Sequence, residues 1–342
     1  MTAAPTLKRP LWQRIPVLRE VRQSVGIQRG MLVAGLVILA VFVITAVFAP
    51  LIAPYGFAQL RDSSGLFGAQ QPPSSAHLLG TTVGGFDVLS RVIWGARTAA
   101  TVIVVSVVLS FPIGVALGLV SGYIGGWLDR ILVVIADAIY AFPSLLLAIV
   151  VSIVISGGQS GLVSGILSAS VAITFVFVPQ YFRVVRAETV RVKSEAFIDS
   201  ARVIGSSRFR IITRHVLRNA TRTLPLIITL NAAEAISTLA ALGFLGFGIE
   251  QSSAAEWGYD LNKSISDVTS GIWWTSIFPG SAIVLVVLGV TLVGEGLNDL
   301  ADPRLRTRRQ ATFGALPPGG GSVEPGGAVV DDAADAAGEE RS

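Results

Sequence analysis

Long apolar runs dominate the hydropathy pattern of this chain, and polar segments of very unequal length separate them. A helix that crosses the hydrocarbon core of a bilayer needs about 20 mostly apolar residues. Six runs reach that length: Met31 to Ala53, Thr98 to Tyr123, Leu128 to Ile155, Gly161 to Phe182, Leu224 to Ile249 and Ser276 to Leu297. Pro143 interrupts the third, Pro179 lies in the fourth, and the connection between these two around Gly157-Gly158 is short. The pattern predicts an all-α membrane protein with six transmembrane helices within residues 31–300. Residues 1–30 form a basic leading segment and residues 301–342 a tail. The first run is too long for the apolar region of a signal peptide, and about thirty residues precede it, so it reads as a retained span.

Composition narrows the picture. Hydrophobic residues make up 52% of the chain and charged residues only 14%, against about a quarter charged in soluble domains. There is no cysteine, which excludes disulfides, thiolate metal sites and cysteine nucleophiles. The two histidines, His77 and His215, belong to no H-E-x-x-H pattern. The net charge of +4 comes from cations that sit between the apolar runs, so it reads as membrane topology and not as a nucleic-acid surface. Arginine far outnumbers lysine, which occurs only at Lys8, Lys193 and Lys263. With the heavy use of Ala, Gly and Val, this points to a bacterial genome rich in G and C.

The cations also orient the spans. Twenty-two of the 26 lie before span one, in the turn after span two, between spans four and five, or after span six. Only Arg61, Arg91, Arg97 and Lys263 lie on the alternate side. Positive charge accumulates in cytoplasmic loops, so both termini are expected in the cytoplasm. The end of the chain is rich in Gly, Pro, Ala and acidic residues, among them Asp331, Asp332 and Glu340. It cannot bury apolar surface and is expected to be disordered.

Several residues inside the runs stand out. Gly114, Gly118 and Gly122 repeat every four residues, so they share one helix face and let a neighbouring backbone come close. That neighbour is either in this chain or in another subunit. Pro112, Pro143 and Pro179 each free a helix carbonyl, and mark either packing kinks or bends beside a pathway. Asn231 and Glu234 lie on adjacent turns of span five. A mid-membrane carboxylate costs about 2.5–3.5 kcal/mol on insertion scales, and such residues face a bundle interior or a cavity. Two readings are open: Asn231 and Glu234 line a translocation pathway, or Glu234 lies near the cytoplasmic end and snorkels or pairs with Arg222. Asp137 is expected to pair with an interfacial arginine. Glu295 reads as a helix-end residue.

The longest inter-span segment on the basic side, residues 183–223, is patterned. Phe197, Ala201 and Ile204 recur at helical spacing. Gly205 then has the position of a helix stop, and Ser206 or Ser207 that of an N-cap for a second helix. Phe209, Ile212 and Val216 would form its apolar stripe. Two short amphipathic helices in so charged a segment must be covered, either by the membrane surface or by another protein.

This segment resembles the Glu-Ala-Ala loop of ABC importer permeases. The matching stretch is Asp199-Ser200-Ala201-Arg202-Val203-Ile204-Gly205, continuing to His215-Val216-Leu217. Asp199 takes the Glu place, Ser200 the first Ala place, and Arg218 stands where the family often has Pro. Further matches run in order along the chain. His77-Leu78-Leu79-Gly80-Thr81 with Asp87-Val88-Leu89-Ser90-Arg91 is similar to the segment before span two of dipeptide and oligopeptide permeases, with Leu78, Thr82 and Phe86 departing from it. Gly118 to Trp127, Ala141-Phe142-Pro143-Ser144-Leu145-Leu146-Leu147 and Phe244-Leu245-Gly246-Phe247-Gly248 resemble family segments. So do Glu256-Trp257-Gly258, where the family has Ser first, and Asp302-Pro303-Arg304. The ordered set resembles the C-type permease of the dipeptide, oligopeptide and nickel group.

That resemblance implies a type I ABC importer permease fold in a bacterial cell membrane. It implies four partners besides lipid: a homologous second permease, two cytoplasmic ATPase subunits and an extracytoplasmic substrate-binding protein. It assigns ATPase coupling to Glu195, Phe197, Asp199, Ser200, Ala201, Arg202, Ile204, Gly205 and Phe209. No G-x-x-x-x-G-K-[ST] pattern occurs, so ATP and Mg are expected on the partner ATPases, with no catalysis and no cofactor in this chain. The expected cargo is a di- or oligopeptide, or else nickel, glutathione or another small solute. A secondary transporter or channel would call for repeats with ion-binding carboxylates, and no convincing internal repeat is seen. A membrane enzyme would call for clustered His, Asp or Cys, and none is present.

Overall fold

A computed structural model describes residues 27–301, apart from 64, 158–161, 222, 248 and 250. The tail and the segment Asp302-Pro303-Arg304 lie outside the described residues, as does most of the basic N-terminal segment. The regular structure of the described chain is helical except for one two-stranded hairpin, β1 (Arg61–Asp62) paired antiparallel with β2 (Gly65–Leu66), and an isolated bridge between Thr81 and Asp87.

Five helices are long and apolar enough to cross a membrane. They are α1 (Ile27–Ile52), α2 (Val88–Ile124), α5 (Leu162–Lys193), α9 (Leu224–Phe244) and α12 (Trp274–Ala301). The third predicted span is not one straight helix. It consists of α3 (Gly126–Tyr140) and α4 (Ser144–Ser156), which meet at 96°. Pro143 is the reason. It has no N–H to donate, and its ring disfavours helical backbone at Phe142. With 15 and 13 residues, the two pieces rise about 22 and 20 Å, each short of the roughly 30 Å hydrocarbon core. If the bent pair counts as one span, the total is six.

Two predicted spans turn out to be longer helices than their apolar runs. α2 begins ten residues before Thr98, where Asp87 caps it by accepting from the backbone N–H of Ser90 at 2.8 Å. α5 runs eleven residues beyond Phe182 to Lys193. Arginine is a good helix former, so the basic run continues the helix, and two of its arginines pair with α3: Arg183 Nη2 lies 2.7 Å from Asp137 Oδ1, and Arg186 Nε 2.5 Å from Asp129 Oδ1. Pro112 and Pro179 lie inside α2 and α5 without interrupting either helix.

α5 is the central element. Phe177, Tyr181, Ile173 and Val185 on it are fully buried, and α2 runs against it over its whole apolar length. The glycine repeat of α2 makes this contact possible. A Cβ at Gly114 would stand 2.5 Å from Tyr181 Cβ, at Gly118 2.8 Å from the Phe182 carbonyl oxygen, and at Gly122 2.8 Å from Thr189 Cβ. The repeat is therefore a packing face within this chain. Some polar side chains in the same seam bond to helix carbonyls, as Ser106 Oγ does to Ser170 O across the two helices at 3.2 Å, while Ser170 Oγ, Tyr181 OH and Thr189 Oγ1 are buried there without a hydrogen-bond partner among the described residues. α1 packs at the rim against α2 and α12 and leaves most of its surface for lipid.

Candidate functional site

The segment after α5 folds into two short helical pieces. α6 (Ala196–Val203) ends as its sequence indicates. Gly205 adopts φ +81°, its N–H donates to Arg202 O at 2.9 Å, and the N–H of Ser206 donates to Ala201 O at 3.0 Å. This is the Schellman pair of bonds, which needs a left-handed residue and so favours glycine. Ser207 then caps α7 (Arg208–Arg210), accepting from Arg210 N at 3.4 Å. A π-helical stretch, Ile211–Val216, follows and leads into α8 (Leu217–Ala220).

The apolar stripes differ from the expected ones. Of Phe197, Ala201 and Ile204, only Ala201 is buried, together with Ile198; Ile204 is 81% exposed. In the second piece Ile211 and Val216 are buried, Ile212 is partly covered, and Phe209 is 78% exposed. The π turn accounts for the shift. Its bonds span five residues, as when Leu217 N–H donates to Ile212 O, so residues five apart, Ile211 and Val216, come to one face. Val203, Ile204 and Phe209 are left as an apolar ridge turned away from the rest of the chain. Around it Asp199 and Arg202 form an exposed pair at 2.9 Å, Arg191 pairs with Glu195 at 3.4 Å, and Ser200 Oγ bonds back to Ala196 O. The helical segment is tied to the spans by Lys193, whose Nζ donates to Tyr123 O at the end of α2 at 2.6 Å.

The carboxylate of span five occupies a different place. Glu234 lines a cavity of about 210 Å³ at the bend between α3 and α4, with Ile139, Tyr140, Phe142, Ser144, Leu147, Val176 and Gln180. Gln180 Nε2 lies 3.5 Å from Glu234 Oε2. Asn231 is 2% exposed, packed between helices, and is not among the cavity-lining residues. Asp137 holds Arg183, which also lies over the Tyr140 ring at 4.2 Å. Glu295 is exposed near the end of α12.

The opposite end of α2 carries a buried network that sequence reasoning missed. Arg91 is 2% exposed and reaches Asp260 at 2.7 Å, while its other nitrogens donate to the carbonyls of Phe57, Gln251 and Ala254. His77 Nδ1 lies 3.0 Å from Asp87, also buried. Glu256 caps α10 (Trp257–Lys263) by accepting from Gly258 N and Tyr259 N at 2.8 and 2.7 Å. Burial pushes its pKa up to about 8, against the downward pull of those two N–H groups. The signal lay in the motifs themselves, since Asp87, Arg91 and Glu256 stand within two of the matched segments. Among the described residues no group of three or more His, Asp or Glu is placed to hold a metal ion.

Residues 114–307 match the family described as binding-protein-dependent transport system inner membrane component. Residues 28–73 match the N-terminal transmembrane domain of oligopeptide transport permease C. Among individual proteins, the chain is 36% identical over 275 residues to the dipeptide transport system permease protein DppC of Alkalihalophilus pseudofirmus, covering 80% of this chain and 86% of that one. It is 41% identical to the protein of the same name from Escherichia coli K12, over 80% and 89% of the two chains. It is 35% identical to the glutathione transport system permease protein GsiD of Pectobacterium atrosepticum, over 87% and 92%.

Proposed function

The chain belongs to the family of binding-protein-dependent transport system inner membrane components, the permeases of bacterial ABC importers, and on that footing we propose that it carries short peptides through the inner membrane. Two of the relatives above are named for dipeptides and one for glutathione, itself a short peptide, which supports peptide cargo over nickel. In this reading the chain pairs with a homologous permease and receives cargo from an extracytoplasmic binding protein. Two ATPase subunits bind ATP and Mg on the cytoplasmic side, and this chain performs no chemistry. Both termini lie in the cytoplasm, as the 22 cations on that side support.

The observation that carries the reading is the ridge of Val203, Ile204 and Phe209, with half-exposed Phe197 beside it. Exposed apolar side chains held on a capped helix are a surface made for a partner. Because α5 runs unbroken to Lys193 and α6 follows it, a push on the ridge is delivered to the most buried span. Closure of the ATPases would thus turn α5 against its neighbours and alternate the access of the pathway. Asp199 and Gly205 set the ridge's charge and its turn.

The test is substrate-stimulated ATPase activity of the complete transporter. Gly205→Val, which forces a β-branched residue to φ +81°, and Asp199→Lys are expected to abolish stimulation while the chain still inserts at normal levels. Full stimulation in both variants would remove the coupling role.

A further inference from the structure

Glu234 is the eleventh of the 21 residues of α9, so its carboxylate sits at the middle of a span. That is the depth at which an ionisable group is most costly, and such groups face a cavity or meet a counter-charge. None of the ion pairs among the described residues includes Glu234. Arg183, close to the same cavity, is already committed to Asp137 and to the Tyr140 ring. Arg222 lies outside the described residues. Among the described residues the carboxylate opens into the cavity with the amide of Gln180 at hydrogen-bond range and with Tyr140 and Ser144 in the same lining.

We propose that Glu234 recognises the positively charged amino terminus of the cargo, the primary ammonium of a short peptide, as it passes through the membrane. This deepens the function proposed above and rests on it. An ammonium is a compact donor of three hydrogen bonds. The Glu234 carboxylate accepts one with charge assistance, and Gln180, whose Nε2 faces Glu234 in the same cavity, carries an amide oxygen able to accept a second. Phe142, 61% exposed at the rim, offers an aromatic face of the kind that attracts cations. Leu147 and Val176 supply an apolar wall. A divalent metal ion fits poorly, because it takes several oxygen or nitrogen ligands and the described residues offer no such group.

The experiment uses the complete transporter in proteoliposomes with its binding protein. Glu234 is labelled with dicyclohexylcarbodiimide, and the adduct is read by mass spectrometry in the presence of alanyl-alanine, N-acetyl-alanyl-alanine or nickel chloride. Protection by alanyl-alanine but not by its acetylated form is expected. In uptake assays Glu234→Gln is expected to raise KM for alanyl-alanine by on the order of tenfold, the factor that corresponds to 1.4 kcal/mol, with Glu234→Asp recovering part of it. Equal protection by both peptides, or protection by nickel alone, overturns the proposal. So does an unchanged KM in Glu234→Gln while the wild type imports peptide, and in that case the importer reading stands. A wild-type transporter that imports no peptide removes the cargo assignment and this inference together.

Discussion

The two ends of α2 solve opposite problems. At its start, charges are buried and paired: Arg91 with Asp260, His77 with Asp87, Glu256 with two backbone N–H groups. Beyond its other end, past the Lys193–Tyr123 contact, charges are exposed and apolar side chains point away from the chain. The 37 residues of α2 place these regions about 55 Å apart. The first end pairs its charges within this chain, where Arg91 joins the two long inter-span loops through Phe57 O and Asp260. The second leaves its ridge exposed, and under the proposed function a partner subunit covers it. One protein thus holds a buried, ion-paired cap at one end and an exposed apolar ridge at the other, with a closely packed α2–α5 pair between them.

The sharpest way to break the contrast is at the locked end. Arg91→Ala leaves Asp260 buried without its cation, and the expected loss of stability is about 3–5 kcal/mol. Thermal unfolding of the purified complex measures it, and the double variant Arg91→Met with Asp260→Leu is expected to recover most of the loss.

A smaller effect at the same end concerns Glu256. Its folded-state pKa, raised by burial to about 8 from 4.5, means the folded chain holds a proton that the unfolded chain has released. The stability this contributes is full below the ordinary carboxylate pKa and is lost as pH rises through the folded value. The unfolding midpoint is therefore expected to fall between about pH 5 and pH 8, and Glu256→Gln to flatten that slope. A wild-type profile as flat as that of the variant would contradict the burial argument.

The smallest expected change in stability is at the ridge. Ile204→Asp and Phe209→Asp alter exposed side chains and should shift unfolding by no more than about 0.5 kcal/mol. Retention of the ATPase subunits on purification should nevertheless fall sharply. If stability drops and ATPase retention does not, the ridge is packed inside the permease and the comparison fails.

Much of this was readable in the chain. Twenty-residue apolar runs mark spans because a bilayer demands them, and Gly205 marks a helix stop because a left-handed residue is needed there. Glycines four apart implied a close helix contact. Their partner, α5, was not readable, because spacing describes one face and is silent about what meets it. Helices α2 and α5 extend beyond their apolar runs into charged sequence. Arg183 and Arg186 pair with Asp137 and Asp129, and Arg91, counted on the alternate side, is buried against Asp260, partners that no run of charge discloses.

The sequence by itself determined a multi-span helical protein, the family motifs, the proline in the third span and the capped turn at Gly205. These rest on local chemistry: apolar length, a missing N–H, a positive φ. Only tertiary structure decided which residues of the basic segment face outward, since a π turn moved the stripe to Ile211 and Val216. It alone placed Glu234 in a cavity and Arg91 against Asp260. A side chain's partner 169 positions away depends on how whole helices pack, and no local pattern encodes that.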